Sequence, residues 1–324
     1  MRNVHLEAAI WSLFTSTEFF EAAAGECEET MKWFATLAIS KNVANFGRNN
    51  QIFDKFKKLA TDFRRGAELA RLGDYHLVWK TAGGVRGDVR GMLEQPLHSW
   101  MTEAEYKEFE DIRISCLMKY AGRIHSALSN AMIGAESFFN LDPDYKMKDY
   151  DSGYPGDTIV KWYKDYADSI KIPLIFGISD PLLEYSIDRS IRCNTGDEVP
   201  STGVWYPDTG LEMHSLTFAI KGLRMQPVYF VAKTTEELRT EACMFPPPET
   251  VALETTWYPI TPSGRQIETN KDLWAKAGEA CPKLGIWESM DAGAMQQRNY
   301  EVGEIMANLG SAYGITVWRW IADH

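Results

Sequence analysis

The sequence predicts an α+β fold, a helical N-terminal half followed by a strand-rich C-terminal part with inserted helices. Three observations predict it. Apolar residues recur three and four apart from Leu6 to about Leu141, the spacing that lines one face of a helix. Beyond about Tyr185, prolines and β-formers dominate, as in Val228-Tyr229-Phe230-Val231, Thr250 to Tyr258, and Gly314 to Ile321. Apolar residues make up 45% and charged residues 24% of 324 residues, a balance that folds nearly throughout. We therefore expect a helical region over 1–185 and a strand-rich α+β region over 186–324, packed as one continuous unit or as two.

In the first region, Ile10, Leu13, Phe14 and Thr17 share one helical face, and Ile112, Cys116, Tyr120 and Ile124 share another. Helix breaks are expected at Gly25, around Gly47 between Asn45 and Asn50, at Gly73-Asp74, and through the glycine-rich stretch Gly83 to Gly91. Thr102-Glu103-Ala104-Glu105 carries the capping-box signature, a hydroxyl for freed amides and a carboxylate reaching back. The segment from Leu141 to Asp157, with Asp142-Pro143-Asp144, reads as a turn-rich connector, followed by a helix over Thr158 to Ser169; Pro173 and Pro181 then bound short extended pieces. No repeat of about 20 to 50 residues and no low-complexity tract stands out, and Pro246-Pro247-Pro248 reads as a short rigid turn or loop.

Composition narrows the function. The net charge is −11, which disfavours nonspecific nucleic-acid or anionic-membrane binding, since both need a basic surface; a charged partner should be basic. The N-terminal stretch is interrupted by Glu7, Ser12, Thr15 and Glu18, unlike a secretory signal, and the longest clean apolar run, Ile172 to Ile178, contains Pro173 and Gly177, too short for a membrane span. A soluble, cytoplasmic protein is expected. The five cysteines (Cys27, Cys116, Cys193, Cys243 and Cys281) form no C-x-x-C pair, which fits a reducing compartment and buried thiols.

Linear catalytic motifs are missing. The histidines His5, His76, His98, His125, His214 and His324 are dispersed with no metal-ligand spacing, so no metal or cofactor is expected. Pairing Cys193 with His214 as nucleophile and base would depend on the fold alone. The Gly83 to Gly91 loop, with Arg86 and Arg90, offers amides and guanidinium groups that suit phosphate, although its spacing matches neither common phosphate-loop pattern. The acidic run Glu103, Glu105, Glu108, Glu110 and Asp111 reads as a solvated helix face, with Glu103 and Lys107 at the favourable i,i+4 spacing.

One segment is more specific: Asn194-Thr195-Gly196-Asp197-Glu198-Val199-Pro200-Ser201-Thr202-Gly203-Val204-Trp205-Tyr206-Pro207. Physically it is a strand end, a tight turn at Gly196-Asp197, a proline-stiffened approach, and a second glycine that lets an indole turn inward. Its pattern, T-G-x-x-V-P-x-T-G-V-W-x-P, resembles the central motif of large bacterial polymorphic-toxin immunity proteins, the families labelled immunity protein 71 and immunity protein 72. Lys221 to Pro227 looks like a weakened form of the short K-G-x-x-x-P segment of those families.

The resemblance implies a helical half before the motif and strands after it. It also implies a protein without catalysis of its own that blocks a cognate, cytoplasmically acting toxin, here a basic domain such as a nuclease. The geometry of the segment itself makes Gly196, Asp197, Pro200, Gly203, Trp205 and Pro207 structural, with Trp205 buried between the helical and strand-rich parts and held by turns at Gly203 and Pro207. Candidate toxin contacts are Glu103, Glu110, Asp111, Asp142 and Asp144. The alternative is an enzyme of carbohydrate or nucleotide processing whose active site is assembled by the fold. Oligomeric state is left open.

Overall fold

The computed structural model describes residues 3–43, 51–134, 182–209, 216–233, 238, 240, 249–267, 274–289, 296–310 and 315–322. The expected breaks around Gly47, the connector with Asp142 and Asp144, the helix over Thr158 to Ser169, Pro173, Pro181, His214, Cys243 and the triple proline lie outside these residues. The α+β reading holds: helices occupy the N-terminal half and strands the C-terminal part. No helix among the described residues is long and apolar enough to cross a membrane.

Helices α1 (Val4–Phe14) and α2 (Thr17–Ser40) meet at a tight joint where the Ser16 hydroxyl accepts from the Phe19 amide at 3.2 Å. This cap places the break at Thr15-Ser16, and α2 runs straight through Gly25, where no break forms. A glycine within a helix costs only about 1 kcal/mol, which the packing around Ala23, Ala24 and Cys27 offsets. Helix α3 (Gln51–Arg71) lies along α2, and its Arg64 and Arg71 pair with Glu28 and Glu21 across the joint. Gly73 adopts φ +92° at the end of α3, and the Asp74 carboxylate accepts from the His76 amide at 2.9 Å, so the expected break at Gly73-Asp74 is present.

The glycine-rich stretch is helical. Helix α4 (His76–Leu93) contains Gly83, Gly84, Gly87 and Gly91, so the expected loop, and the phosphate cradle built on it, are overturned. Its amides are spent within the helix. Close packing accounts for one of these glycines, Gly83, and for Gly66 on α3. A Cβ at Gly83 would meet the His125 ring at 2.8 Å, and one at Gly66 on α3 would meet the Val78 Cβ at 2.8 Å. Lys55 on α3 holds Asp88 at 2.9 Å.

The capping box forms as expected: the Thr102 hydroxyl accepts from the Glu105 amide at 3.3 Å, and the Glu105 carboxylate accepts from the Thr102 amide at 2.7 Å. Helix α5 (Glu103–Lys107) passes through a π-helical segment, Glu108–Ile114, into α6 (Ser115–Ile133). The wider π turn moves the apolar face by a residue. Ile112 is consequently 50% exposed, while Phe109 and Ile114 take the core positions and Cys116, Tyr120 and Ile124 remain buried as expected.

Lys41 binds Glu105 at 2.6 Å and, with the Thr102 amide, holds that carboxyl down at about 2. A carboxylate whose folded pKa is depressed adds stability above the unfolded value of 4.5, and that stability is lost as pH falls toward about 2. Glu105→Gln should therefore flatten the acid side of the stability curve between these values, read by denaturant midpoints from pH 5 to pH 2. Unchanged acid sensitivity would contradict the pairing.

The chain forms two compact units, 1–266 and 267–324. In the first, strands β1 (Leu182–Ile187), β2 (Cys193–Asn194), β3 (Gly203–Asp208), β4 (Thr217–Ala219) and β7 (Thr256–Ile267) make a sheet in the order β1-β7-β3-β4, with β2 also on β7. β5 (Val228–Lys233) and β6 (Glu249–Leu253) pair separately. The run from Thr250 to Tyr258 is thus two strands of different sheets, broken at Glu254-Thr255.

The sheet rests on α1 and α6. Val204, Phe218, Ile220 and Ile260 share one core with both helices. Polar bonds cross the same seam: Leu216 donates to the buried Glu7 carboxylate at 2.6 Å, and the Tyr185 amide donates to His5 Nδ1 at 3.0 Å. The change from helix to strand near residue 185 therefore falls inside a unit.

The second unit holds β8 (Trp274–Lys276), β9 (Gly285–Ser289), β10 (Gln297–Tyr300) and β11 (Val317–Ala322) as an antiparallel sheet ordered β10-β9-β11-β8. Its core is Ala275, Cys281, Trp287, Tyr300, Met306, Trp318 and Trp320.

Candidate functional site

The motif segment from Asn194 to Pro207 forms the end of β2, a turn, and β3. The turn closes as Asp197 donates to the Asn194 carbonyl at 3.0 Å, while its carboxylate accepts back from the Asn194 amide at 3.2 Å. Gly196 sits at φ +86°, a left-handed conformation that favours glycine. The segment is then laced to the chain around Gly222: Gly196 donates to Met225, Met225 to Asp197, Val199 to Leu223, and Gly222 to Val199, all within 2.8 to 2.9 Å.

Trp205 is fully buried, but not between helices and sheet. It packs with Cys193, Val199, Ala219, Met225, Val228 and Trp257 on the sheet face opposite Val204. Alternation along β3 explains the difference: Val204 points to the helices and Trp205 away from them. Gly203 and Pro207 belong to the strand rather than to turns, and Pro200 lies in the approach to it.

The same construction occurs twice. Gly278, Pro282, Gly285 and Trp287 repeat the spacing of Gly196, Pro200, Gly203 and Trp205, and Gly303 with Met306 repeats Gly222 with Met225. The period of this repeat is longer than that of the short repeats sought in the sequence, and the backbone follows it. Glu279 donates to Lys276, Gly278 to Met306, Met306 to Glu279, Cys281 to Glu304, and Gly303 to Cys281, at 2.7 to 3.0 Å.

The isolated bridge Glu198 to Arg224 has its counterpart in Ala280 to Ile305. Gly278 and Gly303 both stand at φ +87°, close to Gly196 and to Gly222 at +84°. Strand order matches as well, β4-β3-β7-β2 against β10-β9-β11-β8. Trp205 opposite Pro259 corresponds to Trp287 opposite Trp320, and Cys193 opposite Trp257 to Ala275 opposite Trp318.

The two modules differ in how they satisfy their indoles. Trp287 donates to the Lys283 carbonyl at 3.0 Å and Trp318 to the Ala307 carbonyl at 2.8 Å. The buried indole N–H groups of Trp205 and Trp257 have no hydrogen-bond partner. They differ also on the opposite face, where Phe218 and Ile220, buried on the helices, are replaced by exposed Asn299 and Glu301.

Of the acidic candidates, Glu103 and Asp111 are exposed and Glu110 is half-buried. Glu103 pairs with Lys107 at 3.4 Å, and Glu110 accepts from the Tyr106 phenol, which with burial raises the phenol pKa. Asp142 and Asp144 lie outside the described residues.

The four described cysteines are buried and unpaired by disulfides. Cys193 Sγ faces the carbonyls of Asn194, Asp197 and Glu198 at 3.7 to 4.0 Å, and burial pushes its thiol up, away from the thiolate a nucleophile needs. Burial likewise pushes Cys116 to about 12 and raises Glu26, whose carboxyl accepts from the Thr30 hydroxyl at 3.3 Å. Among the described residues no group of three or more His, Cys, Asp or Glu is placed to hold a metal ion.

Fold and site define an α+β protein in which a helical body carries one copy of an antiparallel four-stranded module and a second copy follows. Comparison with known proteins finds no family model, no curated protein and no solved structure that matches the chain.

Proposed function

We propose that the protein is an immunity protein, which neutralises a basic toxin domain by binding it. The observation that carries this reading is the motif from Gly196 to Pro207, the segment with the immunity-family pattern. Its Val199 and Trp205 side chains fill the core of a module, and the thiol of the neighbouring Cys193 is engaged with main-chain carbonyls. Such a module is a scaffold, so the work of the protein falls to its surfaces, and the chain as a whole carries a net charge of −11.

Glu103, Glu110 and Asp111 present carboxylates on one helical stretch, a field that speeds encounter with a basic cleft and is weakened by salt. In this reading the toxin acts in the cytoplasm on a target such as nucleic acid or a nucleotide.

The test is to express the product of the gene next to this one, assay it for toxicity, and measure its association with the native chain and with the Glu103→Lys, Glu110→Lys, Asp111→Lys triple variant. A stable complex that abolishes toxin activity, with association slowed and its salt dependence flattened in the variant, is the expected result. A toxin that stays active in the presence of excess native protein overturns the reading.

A further inference from the structure

Two modules with one backbone plan separate what folding needs from what a surface adds. Positions the modules share, namely the paired glycines, the proline, the indole and the methionine, are those that close the turn and fill the core. Positions where exposed residues have diverged are available for recognition.

The largest divergence is at the tip, where the segment before β9 is laced to the segment after β10. In the first module this tip exposes Thr202, Lys221 and Arg224. At the matching places in the second stand Leu284, Val302 and Ile305, which are 47%, 67% and 62% exposed. Three polar or charged residues are thus replaced by aliphatics that remain in water, although the module shows that polar residues satisfy the backbone there.

The three belong to one patch of chain. Gly303 donates to the Cys281 carbonyl, Cys281 receives no slack because its own amide binds Glu304, and Ile305 bridges Ala280. The charge around them changes in the same comparison. The first tip balances Asp197 and Glu198 with Lys221 and Arg224, whereas the second has Glu279, Glu301 and Glu304 against Lys283, and Lys283 lies over the Trp320 ring at 3.7 Å. Two exchanges run in the other direction, Ile220 to Glu301 and Leu223 to Glu304, and both add to the acidity.

We propose that the tip of the second module, Leu284, Val302 and Ile305 rimmed by Glu279, Glu301 and Glu304, is a docking surface for a protein segment that presents an apolar anchor flanked by Lys or Arg. An apolar centre excludes water and holds the complex, and an acidic rim selects the charge of the partner. A nucleic acid is repelled by the same rim. The inference stands on the comparison of the two modules and is independent of which toxin, if any, the protein meets.

The test uses the full chain and an array of synthetic peptides, each with a Leu-Trp anchor flanked by lysines or by glutamates. The variant Leu284→Thr, Val302→Lys, Ile305→Arg installs the residues of the first tip on the second. These residues stand on the same backbone in the first module, so the fold should survive, as far-UV circular dichroism and the melting curve will show; Ile305→Arg alone serves should the triple variant not fold.

The native chain should bind lysine-flanked peptides more than about tenfold tighter than glutamate-flanked ones, and the variant should lose that preference. Equal binding of the two peptide sets, no binding of either, or a preference unchanged in the variant overturns the proposal. Sedimentation decides the remaining case: a native dimer that the variant abolishes would assign the patch to a second copy of this chain and also overturn it.

Discussion

Replacing Trp205 with alanine is expected to destabilise the first unit by about 3–5 kcal/mol, the cost of removing a fully buried aromatic side chain and leaving a cavity. Trp287→Ala should cost a similar amount in the second unit, because the two indoles fill matching places in the two module cores. Phenylalanine separates them.

Trp205→Phe leaves a smaller gap and removes a buried N–H that has no partner, so the two effects oppose and the change should stay within about 1 kcal/mol. Trp287→Phe leaves a gap and also loses the bond to the Lys283 carbonyl, so both effects destabilise and the loss should be about 1–3 kcal/mol larger. Urea unfolding of the four variants checks this order. Equal losses for the two phenylalanine variants would mean that the indoles are satisfied alike.

Gly66→Ala should destabilise the helical body by about 1–3 kcal/mol, even though alanine is the better helix former by about 1 kcal/mol. The added Cβ would stand 2.8 Å from the Val78 Cβ and 3.1 Å from the Val78 main chain, so α3 and α4 must part to admit it. Gly84→Ala is the matched control. Nothing lies within 4 Å of a Cβ there, and the same substitution should stabilise by about 0.4–1 kcal/mol. Thermal melts of the two variants should therefore shift in opposite directions, and a shift of the same sign would refute the close approach of the helices.

These glycines also show what the sequence makes legible. Spacing along one chain reveals which face of a helix is apolar, and on that ground α1, α3, α6 and the strands around Val228 and Trp318 can be placed. Gly83 looks like a breaker when read alone, because its reason lies on another helix, in His125. Ile112 fits the apolar face of a regular helix and is displaced only by the π turn that follows α5.

The capping box at Thr102 is local, and it is readable for that reason. The second module hides in the open: its glycines, proline and tryptophan keep their spacing, but most residues between them have changed. Trp205 belongs with Trp257 for a reason the chain order conceals, since the strand carrying Trp257 arrives after β5 and β6.

Duplication gives the growing chain a problem of identity. β3 and β9 accept their central neighbours through the same pattern of pairing, so β11 is a competitor for the place that β7 takes, and β7 for the place of β11. Two differences steer the outcome. The first module completes itself within 193–260, before the competing strand has been synthesised, and Phe218 and Ile220 then tie it to the helices. The second carries polar Asn299 and Glu301 at those places, side chains that cost free energy to bury without partners. Order of emergence and loss of that apolar face together keep each strand with its own sheet, and refolding from denaturant, where both strands are present at once, is where misassembly between them would show.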